Sequence, residues 1–255
     1  MSYIKSEYEI EKIRKSCKIA AEILEAISPY IKVGITTEEI DTICKAQMQL
    51  RKANSACLGY HGFPKSVCVS KNNIVCHGIP SKNEILQDGD IVNVDVSVEK
   101  DGYYGDTSKM FLIGNVKDSY KKLCQVTKKC LYSSIKIIKP GVQLNQIGKC
   151  IQGIAEKNGF SVVKEYCGHG IGKKLHEKPQ VLHYYTKKNQ SVLKNGMIFT
   201  IEPMINFGKR FVYLEKDNWT VKTKDSSFSA QYEHTVLVTK KNFEILTKRK
   251  EEEFL

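Results

Sequence analysis

The chain has 255 residues, 41% of them hydrophobic and 27% charged, which suits one large domain and excludes collagen-like, disordered and small disulfide-scaffold proteins. Forty basic residues against 28 acids give a net charge of +12, and the excess is lysine, since Arg14, Arg51, Arg210 and Arg249 are the only arginines. Such a surface either attracts polyanions such as ribosomal RNA or reflects a lysine-rich bias that merely solvates the surface; without arginine clusters it is poor base-reading chemistry, so DNA is not an expected partner.

No apolar run reaches the roughly 18 residues of a membrane-spanning helix, and no apolar signal segment opens the chain. Membrane insertion is not expected. Nine cysteines without a CxxC pair read as the reduced thiols of a cytoplasmic protein, and structural zinc through cysteine is not expected.

Ile10, Ile13, Cys17, Ala20, Leu24, Ile27 and Ile31 step by three and four, predicting a helix that stops at Lys32-Val33-Gly34. Thr36-x-x-Glu39 is a capping box that opens a second helix through Ile40, Ile43, Cys44 and Leu50. From Ile91 to Glu99 the chain alternates, with Val92, Val94, Val96 and Val98 on one face and Asn93, Asp95, Ser97 and Glu99 on the other, which predicts a strand. A second helix pair and a second strand follow. Lys32-Val-Gly-Ile matches Lys139-Pro-Gly-Val, and Leu86 to Asp95 matches Leu193 to Glu202, both at an offset of 107 residues (139 − 32 and 193 − 86). Two landmarks at one offset predict an internal duplication, α+β in class, with a site in the crevice between two similar halves.

Asp101-Gly102 between alternating runs predicts a two-residue hairpin. Counting outward places Ser97 opposite Asp106 and makes Asp95 its diagonal neighbour, roughly 7 to 8 Å away between backbone positions. Glu202 in MIFTIEPM and Glu233 in AQYEHTVLV sit in apolar surroundings where an acid needs a cation. His169, between Gly168 and Gly170, adds an imidazole, and His176 follows seven residues later. Four acids and one imidazole suit two divalent ions such as Mn, Fe, Co or Zn, and four negative charges balance two dications.

The stretches SACLGYHGFPKSVC, CHGIP, DGDIVNVDVSV, DGYYGDTSKMF, EYCGHGIG, HEKPQV, GMIFTIEPM and QYEHT together resemble the methionine aminopeptidases of bacterial type I, from the first helix to about Thr247. The resemblance implies the pita-bread fold, two pseudo-twofold-related halves around an antiparallel sheet. It also implies one catalytic domain over 1–255, duplicated as approximately 7–115 and 116–240, with no N-terminal extension domain. The implied activity is removal of the initiator methionine from nascent polypeptides when the second residue is small and uncharged, by attack of a metal hydroxide on the first peptide bond.

By the same resemblance, Asp95, Asp106 and Glu233 would hold one metal, and Asp106, His169, Glu202 and Glu233 the other, with Asp106 and Glu233 as bridges. His176 would stabilise the tetrahedral oxyanion, His77 would contact the peptide beyond the cleaved bond, and Glu202 would help move the proton of the attacking water. Cys57, Tyr60, Phe63, Cys68, Leu175 and Trp219 match the methionine pocket, with Phe63 where Tyr is common and Leu175 where an aromatic is common. Asn72, Ile74 and Ser229 resemble a peripheral monovalent-cation site. A monomer in transient contact with the ribosome is the expected state. The alternative is a non-catalytic pita-bread module that binds ribosomes or RNA; such modules lack some metal ligands, whereas all five are present here.

Overall fold

The computed structural model describes residues 4–188 and 190–252. Helix α1 (Glu7–Ile27) opens on a capping box between Ser6 and Glu9. The apolar pattern runs on to Ile31, yet the helix ends at Ile27 and tightens into a 3-10 turn, Ser28–Tyr30. Pro29 is the cause: it has no N–H to give the Glu25 carbonyl, and the Ser28 N–H bonds that carbonyl instead. Helix α2 (Thr37–Leu50) starts at the Thr36/Glu39 capping box, as the sequence predicts.

The strand Ile91–Lys100 turns at Asp101 and Gly102, both at positive φ (55° and 82°), and pairs antiparallel with Tyr103–Leu112. Its register sets Lys100 against Tyr103 and Ser97 against Asp106, the pairing counted from the turn. On its other edge lie Cys68–Lys71 and Asn54–Ser55. Val92, Val94, Val96 and Val98 are fully buried against Ala20, Ile23, Leu24 and Ile27 of α1 and Ile40, Cys44 and Met48 of α2. The opposite face is not solvated either. Asn93 and Ser97 are each 3% exposed, and the Asn93 amide donates to Gln231 O at 2.8 Å across the crevice.

Helices α3 (Asp118–Lys136) and α4 (Asn145–Lys157) cover a second antiparallel sheet in the order Phe243–Ile245, His234–Val238, Ile198–Ile201, Gly168–Gly170, Glu177–Val181. Leu123, Leu131, Ile147 and Ile151 pack there on Phe199, Ile201 and Val236. Two smaller three-stranded sheets complete the described residues. Gly34 N–H bonds Leu86 O and Leu86 N–H bonds Ile35 O; Gly141 N–H bonds Leu193 O and Leu193 N–H bonds Val142 O, the same pair 107 residues on (141 − 34). The bridges Thr36 to Ile85 and Gln143 to Val192 repeat at that offset.

Gly105 lets α1 lie on the hairpin, because a Cβ there would stand 2.3 Å from Cys17 N and 2.7 Å from Cys17 Cα. The helix backbone therefore rests directly beside the residue that precedes Asp106. No helix of the described residues is long and apolar enough to cross a membrane, and all nine cysteines are free thiols.

Candidate active site

Both sheets deliver acids into the crevice. Asp95 and Asp106 stand on the first hairpin, His169 on the short strand Gly168–Gly170, Glu202 just after Ile198–Ile201, and Glu233 just before His234–Val238. The glycines beside His169 are required by packing: a Cβ on Gly168 would lie 2.3 Å from Thr200 O, and one on Gly170 2.2 Å from Lys178 O. His169 Nε2 is 3.5 Å from Glu202 Oε1 and 3.7 Å from Asp106 Oδ2. One ligand atom each of Asp106, His169 and Glu233 fall within 4.8 Å of one another.

Asp106 and Glu202 are held by neutral donors. Ser97 Oγ donates to Asp106 Oδ1 at 2.8 Å, Thr200 Oγ1 to Glu202 Oε1 at 2.8 Å, and Gln231 Nε2 to Glu202 Oε2 at 3.3 Å. The Glu202 backbone N–H donates to buried His183 Nε2 at 3.2 Å. Thr200, Gln231 and His183 were not picked out from the sequence as site residues. Thr200 and Gln231 stand two residues before Glu202 and Glu233, and that i, i+2 spacing along a strand is the signal for them. His183 sits outside any named strand and carries no such signal.

Burial, and then the charge of Asp106, push the Asp95 and Glu233 carboxyls well above the ordinary carboxylate range. Burial also raises Glu202, to about 8, with Asp106 adding to it. Burial raises Asp106 to about 6, and hydrogen bonds from Ser97 and Asp95 oppose the rise. Burial lowers His169 to about 3, so its imidazole is neutral. Its Nδ1 lies 3.1 Å from Gly170 O, so Nδ1–H donates to that carbonyl and the Nε2 lone pair faces the acids. Asp95 Oδ1 is buried with no hydrogen-bond partner. Four mutually opposed acids, one orphaned carboxylate oxygen and one imidazole lone pair form a donor set that fits divalent cations.

The expected metal-ligand, histidine and methionine-pocket residues line one cavity of about 230 Å³. On its apolar side are Cys57, Phe63, Cys68 and Leu175, all buried, with Trp219 edge-on to Phe63 at 5.1 Å. Met204, Tyr166 and Cys167 join the lining and were not among the expected pocket residues. Asn72, Ile74 and Ser229, the residues of the expected peripheral cation site, do not line this cavity; Ser229 N–H donates to Asn72 O at 2.8 Å.

His77 adopts a left-handed backbone conformation (φ 55°), uncommon for a residue with a side chain, and its ring lies edge-on to Tyr166 and Trp219 at 5.6 and 6.0 Å. Burial, and then the nearby His176, lower it to about 4. His176 is on the exposed rim, its ring 4.3 Å from that of His169, and its Nδ1 is 2.6 Å from the Tyr60 hydroxyl. Partial desolvation and then His61 hold it below the usual imidazole range. Both imidazoles are neutral at neutral pH.

Residues 11–240 match Metallopeptidase family M24. The chain is 59% identical over 251 residues to the methionine aminopeptidase of Buchnera aphidicola subsp. Acyrthosiphon pisum and 55% over 250 residues to that of Escherichia coli K12; in both cases 98% of this chain and 95% of the relative are covered. The crystal structure of methionine aminopeptidase from Rickettsia prowazekii superposes with a TM-score of 0.94 at 46% identity, covering 97% of this chain and all of that one. The structure from Thermotoga maritima gives 0.95 at 39%, with 98% of this chain covered and all of that one. The prolidase from Pyrococcus horikoshii, at 23% identity and a TM-score of 0.76, shares the fold and covers 99% of this chain but 65% of its own. The fold is thus the pita-bread fold, and the chain belongs to the methionine aminopeptidases of metallopeptidase family M24.

Proposed function

We propose that this enzyme removes the N-terminal methionine of nascent polypeptides whose second residue is small and uncharged. The observation that carries the reading is one small cavity that joins five metal-ligand side chains to an apolar wall. At about 230 Å³ it is smaller than the roughly 300 to 1,000 Å³ of sites for whole small molecules, which suits the end of a chain. Asp95, Asp106, His169, Glu202 and Glu233 would hold two divalent ions, Mn, Fe, Co or Zn, with Asp106 and Glu233 serving both. The chemistry supplied there would be Lewis acidity, which lowers the pKa of a bound water and polarises the scissile carbonyl.

The protein's own groups do the rest. Cys57, Phe63, Cys68, Leu175 and Trp219 receive the thioether side chain. Glu202, steadied by Thr200 and Gln231, takes the proton of the attacking water and returns it to the departing amine. His176 donates to the developing oxyanion, and Tyr60 holds its ring. His77 contacts the peptide beyond the cleaved bond. The non-catalytic alternative has no support, since the relatives that match over nearly the whole chain are methionine aminopeptidases. The repeated hydrogen bonds 107 residues apart (141 − 34) support an internal duplication of approximately 7–115 and 116–240.

Tyr60, His77 and Tyr166 crowd the cavity, so a bulky second side chain clashes in the transition state. Peptides beginning Met-Ala-Ser and Met-Gly should be cleaved, Met-Lys and Met-Leu should not, and a chelator should abolish hydrolysis. Equal rates on both groups would overturn the selectivity, and chelator-insensitive cleavage the metal chemistry.

His77→Ala and His176→Ala should each lower kcat by about 10² with metal affinity and unfolding temperature nearly unchanged. Steady-state kinetics beside metal calorimetry decide this; loss of metal from either variant would make that histidine a ligand.

A folded-state pKa above the unfolded one means that the metal-free fold binds the extra proton, so its stability falls as pH rises through the window from 4.5 to about 8 set by Glu202. The buried histidines, held well below their unfolded value of 6.5, act in the opposite sense below that pH, so the comparison belongs above it: the chelated protein should unfold at lower temperature at pH 8 than at pH 7. Divalent metal should reverse the loss and release protons on binding. Scanning calorimetry, with titrations in two buffers of different ionisation enthalpy, measures both. A metal-free protein more stable at pH 8, or proton-neutral metal uptake, would refute the assignment of these acids as ligands.

In the cytoplasm the lysine surface makes transient contact with ribosomal RNA, and the enzyme acts as a monomer. Co-sedimentation with ribosomes should fall steeply with salt while hydrolysis of short peptides changes little. Association indifferent to salt would assign the +12 to surface composition alone.

A further inference from the structure

Arg249 and Glu252, near the C-terminus, are each 2% exposed and do not line the cavity. Arg249 Nη2 meets Glu252 Oε1 at 2.5 Å, and the Tyr132 hydroxyl donates to the same oxygen at 2.5 Å. The second arm of the guanidinium reaches a different element: Nη1 donates to Thr107 Oγ1 at 2.9 Å, and that hydroxyl donates to Glu233 O at 2.7 Å. Thr107 follows Asp106, so this two-bond chain runs from the C-terminal turn through the neighbour of one candidate ligand to the backbone of another. A second grip lies beside it, where Thr247 Oγ1 accepts from Thr235 N at 3.1 Å and Thr235 Oγ1 donates to Asp106 O at 2.7 Å.

Asp106 lies on a strand of one sheet and Glu233 just before a strand of another, so no continuous ladder sets their separation, and their direct backbone tie is Glu233 N–H to Ser108 O at 3.1 Å. A buried ion pair adds little stability that apolar side chains of similar size would not. A guanidinium differs from an apolar chain in holding donors in a rigid planar fork. With one side of the fork fixed by Glu252, the other places the Thr107 hydroxyl.

We propose that Arg249 is a positioning residue, which through the Thr107 hydroxyl sets where Glu233 stands relative to Asp106. The inference rests on the reading that these two acids bind metal. Its test separates positioning from mere stapling. Co(II) is titrated into the metal-free enzyme by calorimetry, and the visible absorption of the bound ion, which reports coordination geometry, is recorded with the unfolding temperature and the kinetics of Met-Ala-Ser hydrolysis.

Thr107→Val cuts the chain without creating a charge, Thr107→Ser keeps it, and the double variant Arg249→Met, Glu252→Met removes the ion pair as a unit. Thr107→Val and the double variant should bind Co(II) about 10-fold more weakly, with an altered absorption spectrum and reduced kcat at unchanged KM. Thr107→Ser should behave as the wild type. If Thr107→Val, or a folded double variant, shows only a lower unfolding temperature with Co(II) affinity and spectrum as in the wild type, the turn is a staple and the proposal falls. Should the double variant fail to fold, Thr107→Val decides alone. Asp106→Asn is the control on the underlying reading: wild-type Co(II) binding by that variant would remove Asp106 from the ligand set whatever Thr107 does.

Discussion

Four carboxylates buried around one cavity are the constraint to which the rest of the molecule answers. The rise of Glu202 from 4.5 to about 8 corresponds to roughly 5 kcal/mol against its ionisation, a large fraction of the 5 to 15 kcal/mol by which a domain typically exceeds its unfolded state. Asp95 and Glu233 are displaced in the same direction. Such a group of acids is tolerable when protonated or when cations share the space, and the orphaned oxygen of Asp95 favours the second. Metal uptake and folding stability are therefore linked quantities in this protein.

Acids that repel must be held from behind, and the fold does so mostly with neutral groups. Glu233 N–H bonds Ser108 O at 3.1 Å, Thr107 Oγ1 bonds Glu233 O at 2.7 Å and Thr235 Oγ1 bonds Asp106 O at 2.7 Å, tying strands of two sheets together. A net contribution of about 1 kcal/mol each is small beside the electrostatic cost, so the ties work by geometry, fixing directions that close packing then preserves. Gly105 is part of the same economy of space, since α1 can press on the hairpin only where no Cβ intervenes.

The first hairpin was legible because a two-residue turn fixes strand parity: once Asp101-Gly102 is the loop, the opposition of Ser97 and Asp106 follows, and the structure has that register. The capping box at Thr36 was legible for the same reason, a local cause with a local effect. The end of α1 was misread because apolar spacing says nothing of the missing donor of Pro29. The polar face of the strand Ile91–Lys100 shows a different limit, since alternation separates two faces without telling which is wet. Here both are covered, one by α1 and α2 and the other by the second half. Least legible was the Arg249–Glu252 pair. A run of lysine, arginine and glutamate reads as a solvated tail, and its burial depends on partners as distant in sequence as Thr107 and Tyr132.

The apolar wall raises a related question, namely how it stays uncharged beside so many acids. Two of its side chains are thiols, which could ionise in a site built for cations. Cys68 is pushed well above the ordinary thiol range by its hydrogen bond with Cys57 and then by burial, with the negative charge of Asp95 adding to both. Cys76, buried nearby, is raised by burial and then by Glu202 and Asp95. Burial and the Cys57 hydrogen bond keep the adjoining sulfur protonated, and the acids add to the effect. A protonated thiol is small, apolar and polarizable, a suitable surface for a thioether, so burial and the neighbouring acids together preserve the neutrality of the apolar side of the cavity.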